Sequence, residues 1–135
     1  ASKFTSLYDG VIETLSKLKD QDIRFGVCTN KPLQPAKVIL EQFGLAQFFD
    51  VVIGGDQLNS RKPDPEMLRY TMRLLNTKSC IFIGDSEVDS MSAYNAKVPF
   101  ILVEDGYTEK KIEEIRHDTS IKNFLNFEKV IKKYL

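Results

Sequence analysis

The sequence is short of net charge and of long apolar runs, and each shortage excludes a class of function. Its 19 Lys and Arg residues balance 19 Asp and Glu residues, so the formal net charge is zero. No bulk electrostatic field draws such a chain to nucleic acid or to acidic lipid, and we expect neither partner. No apolar stretch approaches the roughly 20 residues needed to cross a bilayer, and no signal peptide is recognisable. We therefore expect no membrane association.

Cysteine and histidine are also scarce. The two cysteines, Cys28 and Cys80, lie inside apolar runs and lack the paired spacing of a metal or redox site. We expect them to be small buried hydrophobic residues of a protein in a reducing, cytoplasmic compartment. His117, the single histidine, lies in a polar run, which indicates a surface residue without a catalytic role.

Short apolar runs alternate with helical patterns along the chain. The runs predict buried strands over 22–28, 49–54, 80–84 and 99–103. Helices are predicted over 10–19, 35–43 and 65–75, from about 87, over 108–116, and over 123–135. This alternation predicts an α/β fold in which helices cover both faces of a parallel sheet. The length is suited to a single domain, 1–135.

Polar side chains follow three of the predicted strands. Thr29 and Asn30 follow the first, Lys62 lies in the loop beyond the second, and Asp85 and Asp89 follow the third. Ligands bind beyond the carboxyl ends of parallel strands, so we expect these residues to share one crevice. Mg²⁺ usually takes one or two carboxylates, and phosphoryl oxygens need donors and positive charge. The set therefore suits a phosphate ester and a magnesium ion.

Each of these features also has a purely structural explanation. Two acids near a helix start can complement the helix dipole, as Asp85 and Asp89 would. Thr-Asn after a strand is a common turn, and Lys-Pro-Asp-Pro can be an ordinary loop with a helix cap. The functional interpretation depends on the conjunction of complementary groups at three successive strand ends.

The same segments resemble the second, third and fourth motifs of the haloacid dehalogenase superfamily, and most closely its phosphoglycolate phosphatase branch. They read VCTNKP, GGDQLNSRKPDPEML, FIGDSEVDSMSAYNA and VEDGYTE. The resemblance implies a Rossmann-like three-layer core that binds a small phosphorylated metabolite through Thr29, Asn30 and Lys62. It implies Mg²⁺ held by Asp85 with Asp89 beside it, and hydrolysis through a phosphoaspartate, with Lys62 as the catalytic residue that also holds the nucleophile.

One departure from the family pattern concerns a turn. The family often has Ala-Gly where Ala96-Lys97 stands in this sequence. The substitution puts the local turn in doubt, but it removes no chemical group from the predicted site.

The family's first motif, Asp-x-Asp-Gly-Thr on an upstream strand, has no match here, and the helical cap domain that follows it is also absent. The nearest acid, Asp9, is predicted to cap a helix rather than act as a nucleophile. In the family sheet the missing strand lies between the first and third strands predicted here. Because neighbouring strands are about 4.8 Å apart, its loss leaves a gap of roughly 9.6 Å with unpaired backbone groups.

Three arrangements would remove such a gap. A complementing N-terminal segment fills it, the two flanking strands close up and distort the site, or a strand from a second copy is swapped in. A sheet with exposed edges also favours self-association.

The sequence leaves three functional hypotheses. The leading one is the core of a magnesium-dependent phosphomonoesterase similar to phosphoglycolate phosphatase, inactive by itself because the nucleophilic aspartate is missing. The second is a non-catalytic module of the same fold that binds a phosphate-bearing ligand, Mg²⁺ or a protein partner. The third is a sugar-phosphate phosphotransferase or mutase, because a phosphoaspartate can deliver its phosphate to a sugar instead of water.

Overall fold

Strands and helices alternate in the computed structural model, which describes residues 10–104 and 111–135. The strands are β1 (Phe25–Cys28), β2 (Phe49–Ile53), β3 (Phe82–Gly84), β4 (Phe100–Val103) and β5 (Thr119–Ile121). The helices are α1 (Val11–Lys19), α2 (Leu33–Gln42), α3 (Glu66–Leu74), α4 (Glu87–Ala96) and α5 (Phe127–Ile131). Every strand pair is parallel, so the predicted α/β class is confirmed.

The four predicted strands are all present, although each is shorter than its apolar run. The fifth strand, β5, was missed because it is only three residues long and begins with Thr119 and Ser120. It is fixed by pairing with β4, and the reciprocal backbone and side-chain hydrogen bonds between Asp118 and Phe100 start that pairing. Tertiary contacts therefore decide this strand, not its own sequence pattern.

The helix predicted over 108–116 is wrong for the residues that the structure describes. Residues 108–110 lie outside them, and the rest contains only a 3₁₀ turn, Ile112–Glu114. Ile115 is buried against β4, and the chain must then become extended to enter β5. The last predicted helix, 123–135, is also shorter, because Asn126 adopts a left-handed conformation and α5 begins only after it. A 3₁₀ turn, Lys132–Tyr134, continues it.

The sheet is divided in two. β1 pairs with β2, and β3 pairs with β4, which pairs with β5, while no ladder joins β1 to β3 in the described part of the chain. β4 is buried along its whole length, whereas all residues of β1 and β3 are only half-buried. The division falls where the sequence predicts a missing strand. Of the three arrangements expected there, closure of β1 onto β3 by ladder pairing is not seen.

One covering layer contacts both parts of the sheet. On one face Leu18 of α1 and Phe127 and Ile131 of α5 form a cluster with Ile101 of β4. Half-buried residues of both edges, Phe25, Ile81 and Ile83, pack against that cluster. On the other face α3 lies directly on β1, because a Cβ atom at Gly26 would be 2.8 Å from Thr71 Cγ2. Glycine at this position permits that close approach.

None of the described helices is long and apolar enough to cross a bilayer. Asp9, the predicted helix cap, lies outside the described residues. The extent of the domain, 1–135, stays a prediction.

The turn at Lys97 offers a test of the departure from the family pattern. Lys97 ends α4 with φ 62, in the left-handed region that favours glycine. We expect Lys97→Gly to raise the free energy of unfolding by about 0.5–1 kcal/mol, because glycine adopts this conformation without strain. Urea denaturation measures the change. Lys97→Ala is the matched control, since it removes the same side chain but keeps the Cβ atom; an equal gain in both variants would contradict the explanation.

Candidate functional site

The residues predicted to share a crevice come together at the carboxyl ends of β1 and β3. Lys62, in the loop after β2, forms an ion pair with Asp89 of α4. Asn30, just after β1, forms hydrogen bonds with the backbone of Lys62. Asp85 follows β3 directly, and its backbone N–H donates to Asp89 Oδ2 over 3.2 Å. Elements from both parts of the divided sheet therefore meet at this point.

Hydrogen bonds join the loop after β1 to the loop after β2. Asn30 donates from Nδ2 to Lys62 O over 3.3 Å and accepts from Lys62 N–H over 3.0 Å. Gly55 N–H donates to Lys31 O over 2.8 Å. A Cβ atom at Gly55 would lie 2.1 Å from Asn30 O, so only glycine permits this approach. The position of Lys62 is thus determined by the loop after β1.

Lys62 and Asp89 form a buried ion pair between the two parts of the sheet. Their side chains are only 9% and 10% exposed. The ammonium group of Lys62 also lies 5.5 Å from the ring centroid of Phe82 on β3. Because both side chains are buried, water cannot stabilise either charge when its partner is removed, so the loss of one partner destabilises the fold.

Both carboxylate oxygens of Asp89 are occupied by protein donors. Oδ1 accepts from Lys62 Nζ, and Oδ2 accepts from Asp85 N–H and from Ser86 Oγ at 3.1 Å. Ser86 also caps α4, because its Oγ accepts from Asp89 N–H over 3.2 Å. A Cβ atom at Gly84 would be 2.6 Å from Asp89, so the glycine at the end of β3 makes room for this carboxylate.

Asp85 is the less satisfied of the two acids. Among the described residues, no lysine or arginine forms an ion pair with its carboxylate. Burial raises the pKa of Asp85 above its ordinary value, and the negative charge of Asp89 raises this pKa further. A divalent cation would compensate both effects, since its charge favours the ionised carboxylate. The donor set therefore fits Mg²⁺, which prefers carboxylate oxygen and retains several waters.

The described side chains do not complete a metal site by themselves. No group of three or more His, Cys, Asp or Glu residues that could hold a metal occurs in residues 10–104 and 111–135. Asp85 and Asp89 would thus provide part of a coordination shell, and the remaining ligands would be water, the bound phosphate or groups outside the described residues.

Thr29 lies beside Asn30 on the first loop. Its Oγ1 accepts from Lys31 N–H over 3.1 Å, and its backbone N–H donates to Ile53 O. The hydroxyl hydrogen is not used by either bond, so it can be donated to a ligand. His117 lies away from this group, two residues before β5 and therefore at the opposite end of the sheet. Its Nδ1 is 2.7 Å from Ile115 O.

Three of the residues that follow the strands support the site, although no individual role was predicted for them. Ser86 holds Asp89, Gly55 permits the contact with Asn30, and Asp56 accepts from Leu33 N–H over 2.9 Å at the start of α2. The Gly-Gly-Asp run after β2 was the available signal. Two glycines before an acid in a loop indicate a close backbone approach, but one sequence does not identify the partner backbone.

The two cysteines are free thiols, and each is half-buried rather than fully buried as predicted. Burial raises the pKa of each thiol to about 11 from an ordinary value of 9.0. The folded chain therefore keeps both protons between pH 9 and 11, where the unfolded chain loses them. By linkage, stability is unaffected below about pH 9 and falls as the pH rises toward 11.

We expect this fall to be on the order of 2 kcal/mol per thiol. Urea denaturation at pH 8 and pH 10.5 measures it. The control is the Cys28→Ala/Cys80→Ala variant, in which other titrating groups still act but the contribution of the thiols is removed. Equal pH dependence of the two proteins would contradict the assignment.

Comparison with known proteins agrees with this geometry. Residues 1–103 match the sequence profile of the haloacid dehalogenase-like hydrolases. A phosphoglycolate phosphatase of Cereibacter sphaeroides is 42% identical over 113 residues, which is 84% of this chain and 52% of the relative. A phosphoglycolate phosphatase of Rhodobacter capsulatus is 38% identical over 119 residues, which is 88% of this chain and 54% of the relative.

Solved structures give the same result for the fold. A predicted phosphoglycolate phosphatase from Haemophilus somnus 129pt superposes with a TM-score of 0.86 at 30% identity. The match covers 93% of this chain and 57% of that protein. The chain thus spans about half the length of the curated relatives that it matches.

Proposed function

Because the chain belongs to the haloacid dehalogenase-like hydrolase family, we propose that it carries the phosphate-binding and metal-binding part of a Mg²⁺-dependent phosphomonoesterase. One observation carries the proposal. The buried Lys62–Asp89 ion pair lies beside Asp85, an acid without a cationic partner in the described residues. The arrangement offers further lysine N–H donors for a phosphoryl group and, at Asp85, a carboxylate without an ion pair for a metal ion.

The phosphoryl group would be bound from the β1 side. Lys62 has three N–H donors and directs one to Asp89, so it can direct another to a phosphoryl oxygen. The Thr29 hydroxyl would donate to a second oxygen. The amide of Asn30 is engaged with the Lys62 backbone, so its contribution to the phosphate site is to fix the loop that presents Lys62. This division of roles keeps Thr29 and Lys62 from the phosphate-binding set predicted from the sequence and gives Asn30 a positioning role instead.

Mg²⁺ would be held by Asp85, with Asp89 beside it. When bound, the ion would compensate the charge of the phosphoryl oxygens and thereby favour attack on phosphorus. Asp85 is the primary ligand in this proposal because its carboxylate has no competing ion pair. Asp89 would lie beside the metal ion, because it is next to Asp85, while its carboxylate holds Lys62 in place.

The attacking carboxylate is not among the acids assigned above. Asp85 would bind the metal and Asp89 holds Lys62, so neither is free to attack phosphorus and form the phosphoaspartate. We therefore propose that these 135 residues do not hydrolyse phosphomonoesters alone. Phosphoglycolate is the candidate substrate because both curated relatives described above are phosphoglycolate phosphatases. The cytoplasmic location predicted from the cysteine pattern stays a prediction.

Metal binding can be tested without turnover. Mn²⁺ added to the ¹⁵N-labelled chain should broaden the amide resonances of Asp85 and Ser86 before others, because paramagnetic relaxation falls steeply with distance. Asp85→Asn should abolish this broadening, whereas Asp50→Asn, which neutralises an exposed acid of β2, should leave it unchanged. Broadening centred on other residues, or unchanged in Asp85→Asn, would refute the proposed metal site.

A non-catalytic module remains the second candidate, and one observation favours it. Both carboxylate oxygens of Asp89 already accept hydrogen bonds from protein donors. Asp89 is therefore not free to react, which agrees with a site that binds a ligand without turnover. Phosphoglycolate hydrolysis by a chimera that contains the N-terminal half of a relative would distinguish the phosphatase from the non-catalytic module. The phosphotransferase alternative predicts phosphate exchange with a sugar bisphosphate instead of release to water.

A further inference from the structure

Asn95, in the last turn of α4, contacts the loop that presents Lys62. Its Nδ2 donates a hydrogen bond to Pro63 O over 3.1 Å. Pro63 directly follows Lys62, so this bond fixes the backbone one residue beyond the lysine that is proposed to bind phosphate. Asn95 belongs to the segment FIGDSEVDSMSAYNA, but the sequence analysis gave it no role.

Helix α4 holds this loop at two points. Asp89, near the start of the helix, pairs with the ammonium group of Lys62, and Asn95, six residues later, bonds to the backbone at Pro63. At a rise of 1.5 Å per residue, the two points are roughly 9 Å apart along the helix axis. A loop held at one point can rotate about it, whereas two separated points fix its orientation relative to α4. Because Asp85 lies two residues before α4, the same helix relates Lys62 to the proposed metal ligand.

The end of α4 is itself held by α3. Asn95 O is one of the last carbonyls of the helix, which lack donors within the helix. Arg69 Nη2, from α3, donates to it over 3.1 Å. Helix α3 begins at Glu66, three residues after Pro63, so the loop, α3 and the end of α4 form a closed ring of contacts. The position of Asn95 relative to the loop is therefore well determined.

Neither helix formation nor packing accounts for asparagine at this position. Asparagine is a poorer helix former than alanine, and the exposed side chain of Asn95 adds little to the core. Its contact complements that of Asn30, which bonds to the backbone of Lys62 from the loop after β1. Since α4 lies against β3 and β4, the backbone of this loop is held from both parts of the divided sheet.

Resting on the proposed function, we propose that Asn95 is a positioning residue for phosphate binding. Its amide keeps the loop in the orientation in which the ammonium group of Lys62 reaches both Asp89 and a phosphoryl oxygen. In this role Asn95 contacts neither phosphate nor metal, because it acts through the backbone at Pro63. Loss of the amide should therefore weaken phosphate binding and leave metal binding at Asp85 unchanged.

Asn95→Leu tests this role, because leucine has a similar size but no hydrogen-bond donor. Leucine is also the better helix former, so α4 should be retained. Inorganic phosphate is titrated into the ¹⁵N-labelled chain in the presence of Mg²⁺, and the amide shifts of Thr29 and Lys62 are followed. We expect the Kd for phosphate to rise about fivefold, the effect of losing one hydrogen bond. The Mn²⁺ concentration that broadens Asp85 should change less than about twofold, as expected from one protein to the next within the additivity of distant sites.

Asn123→Leu is the matched control. Asn123 also makes one bond to the backbone, in which its Oδ1 accepts from Leu125 N–H over 2.9 Å, but it lies just after β5, away from the loop. This variant should leave the Kd for phosphate unchanged. An equal rise of the Kd in the two variants would overturn the proposal, and so would parallel weakening of phosphate and Mn²⁺ binding in Asn95→Leu.

Hydrogen exchange reads the position of the loop without any ligand. The Lys62 N–H donates to Asn30 Oδ1, and its exchange in Asn95→Leu should accelerate about fivefold, because the loop opens more often. Exchange of the Gly55 N–H, which donates to Lys31 O outside the contact with Asn95, should stay nearly constant. Unchanged exchange at Lys62, or equal acceleration at both amides, would contradict the positioning role.

The positioning role and the proposed function fail differently. If phosphate binds equally well to the parent chain and to Asn95→Leu, the phosphate site stands and the positioning role is refuted. If phosphate shifts neither Thr29 nor Lys62 in the parent chain, while exchange at Lys62 accelerates in Asn95→Leu, Asn95 holds the loop as proposed and the phosphate site is refuted.

Discussion

Lys62→Met is expected to lower the free energy of unfolding by about 3–5 kcal/mol, because it leaves the buried carboxylate of Asp89 without its cationic partner. Methionine keeps most of the length and apolar contact of the lysine stem, so the loss reports on the charge rather than on packing. The side chains of the pair are 9% and 10% exposed, which prevents water from replacing the lost partner. Urea denaturation at pH 7 measures the difference.

Two further variants separate the ion pair from other effects of the substitution. Lys17→Met removes the Lys17–Glu128 pair, whose side chains are 67% and 31% exposed, and should cost less than about 1 kcal/mol. Asp89→Asn in the Lys62→Met background removes the unpaired charge while its amide oxygen still accepts from Asp85 N–H and Ser86 Oγ. It should restore a large part of the loss. A cost for Lys62→Met as small as that for Lys17→Met would contradict the role given to the pair.

Addition of the N-terminal half of a relative to this chain is expected to produce magnesium-dependent hydrolysis of phosphoglycolate. A chimera would join the N-terminal half of the Cereibacter sphaeroides phosphoglycolate phosphatase, a relative of which this chain covers 52%, to residues 10–135 of this chain. This chimera should hydrolyse phosphoglycolate, with activity lost on removal of Mg²⁺. Asp85→Asn should then lower kcat/KM by at least about 100-fold, because it weakens binding of the metal ion that would compensate charge at the reacting phosphoryl group.

The matched control for the chimera is Asp50→Asn, which removes an exposed acid of β2 and should leave kcat/KM unchanged. A chimera that binds Mn²⁺ at Asp85 but releases no phosphate would favour the non-catalytic module. Transfer of phosphate to glucose 1-phosphate in preference to water would favour the phosphotransferase hypothesis. Equal activity in Asp85→Asn and the parent chimera would refute the assigned role of Asp85.

The fold class was predictable because its signals are local. Runs such as 80–84 and 99–103 are apolar and bounded by turn residues, and the helices between them carry their own start and stop signals. β5 was not predictable, because Thr119 and Ser120 carry no strand pattern and their conformation depends on β4. The helix predicted over 108–116 failed for a related reason: burial of Ile115 and entry into β5 outweigh the helical spacing.

The site was predictable as a set of residues but not as a set of contacts. Strand ends and residue chemistry bring Asn30, Lys62, Asp85 and Asp89 to one place, as expected for a parallel sheet. The sequence suggested that the two acids act together, whereas Asp89 pairs with Lys62 and Asp85 has no ion-pair partner in the described residues. Which of two acids meets a lysine depends on loop geometry, here on the bonds between Asn30 and Lys62.

A strand was expected to be missing between β1 and β3, and the resulting gap was expected to be filled by another segment, closed, or occupied by a strand from a second copy. The described sheet is divided between β1 and β3, where the missing strand was expected. The chain does not compensate by forming a ladder between these two strands. The functional hypothesis is an active site without its nucleophile. The matching property of the fold is a pair of strand edges, on β1 and β3, that have no partners in the described residues.

Hydrolysis of p-nitrophenyl phosphate by the 135-residue chain, measured with and without Mg²⁺ and beside the Asp85→Asn variant, decides whether these residues contain a complete active site. We expect no phosphate release above that of buffer from either protein, because the residues proposed to bind phosphate and metal include no carboxylate that is free to attack phosphorus. Magnesium-dependent turnover by the chain alone that is lost in Asp85→Asn would contradict this account and show that the 135 residues already contain a complete active site.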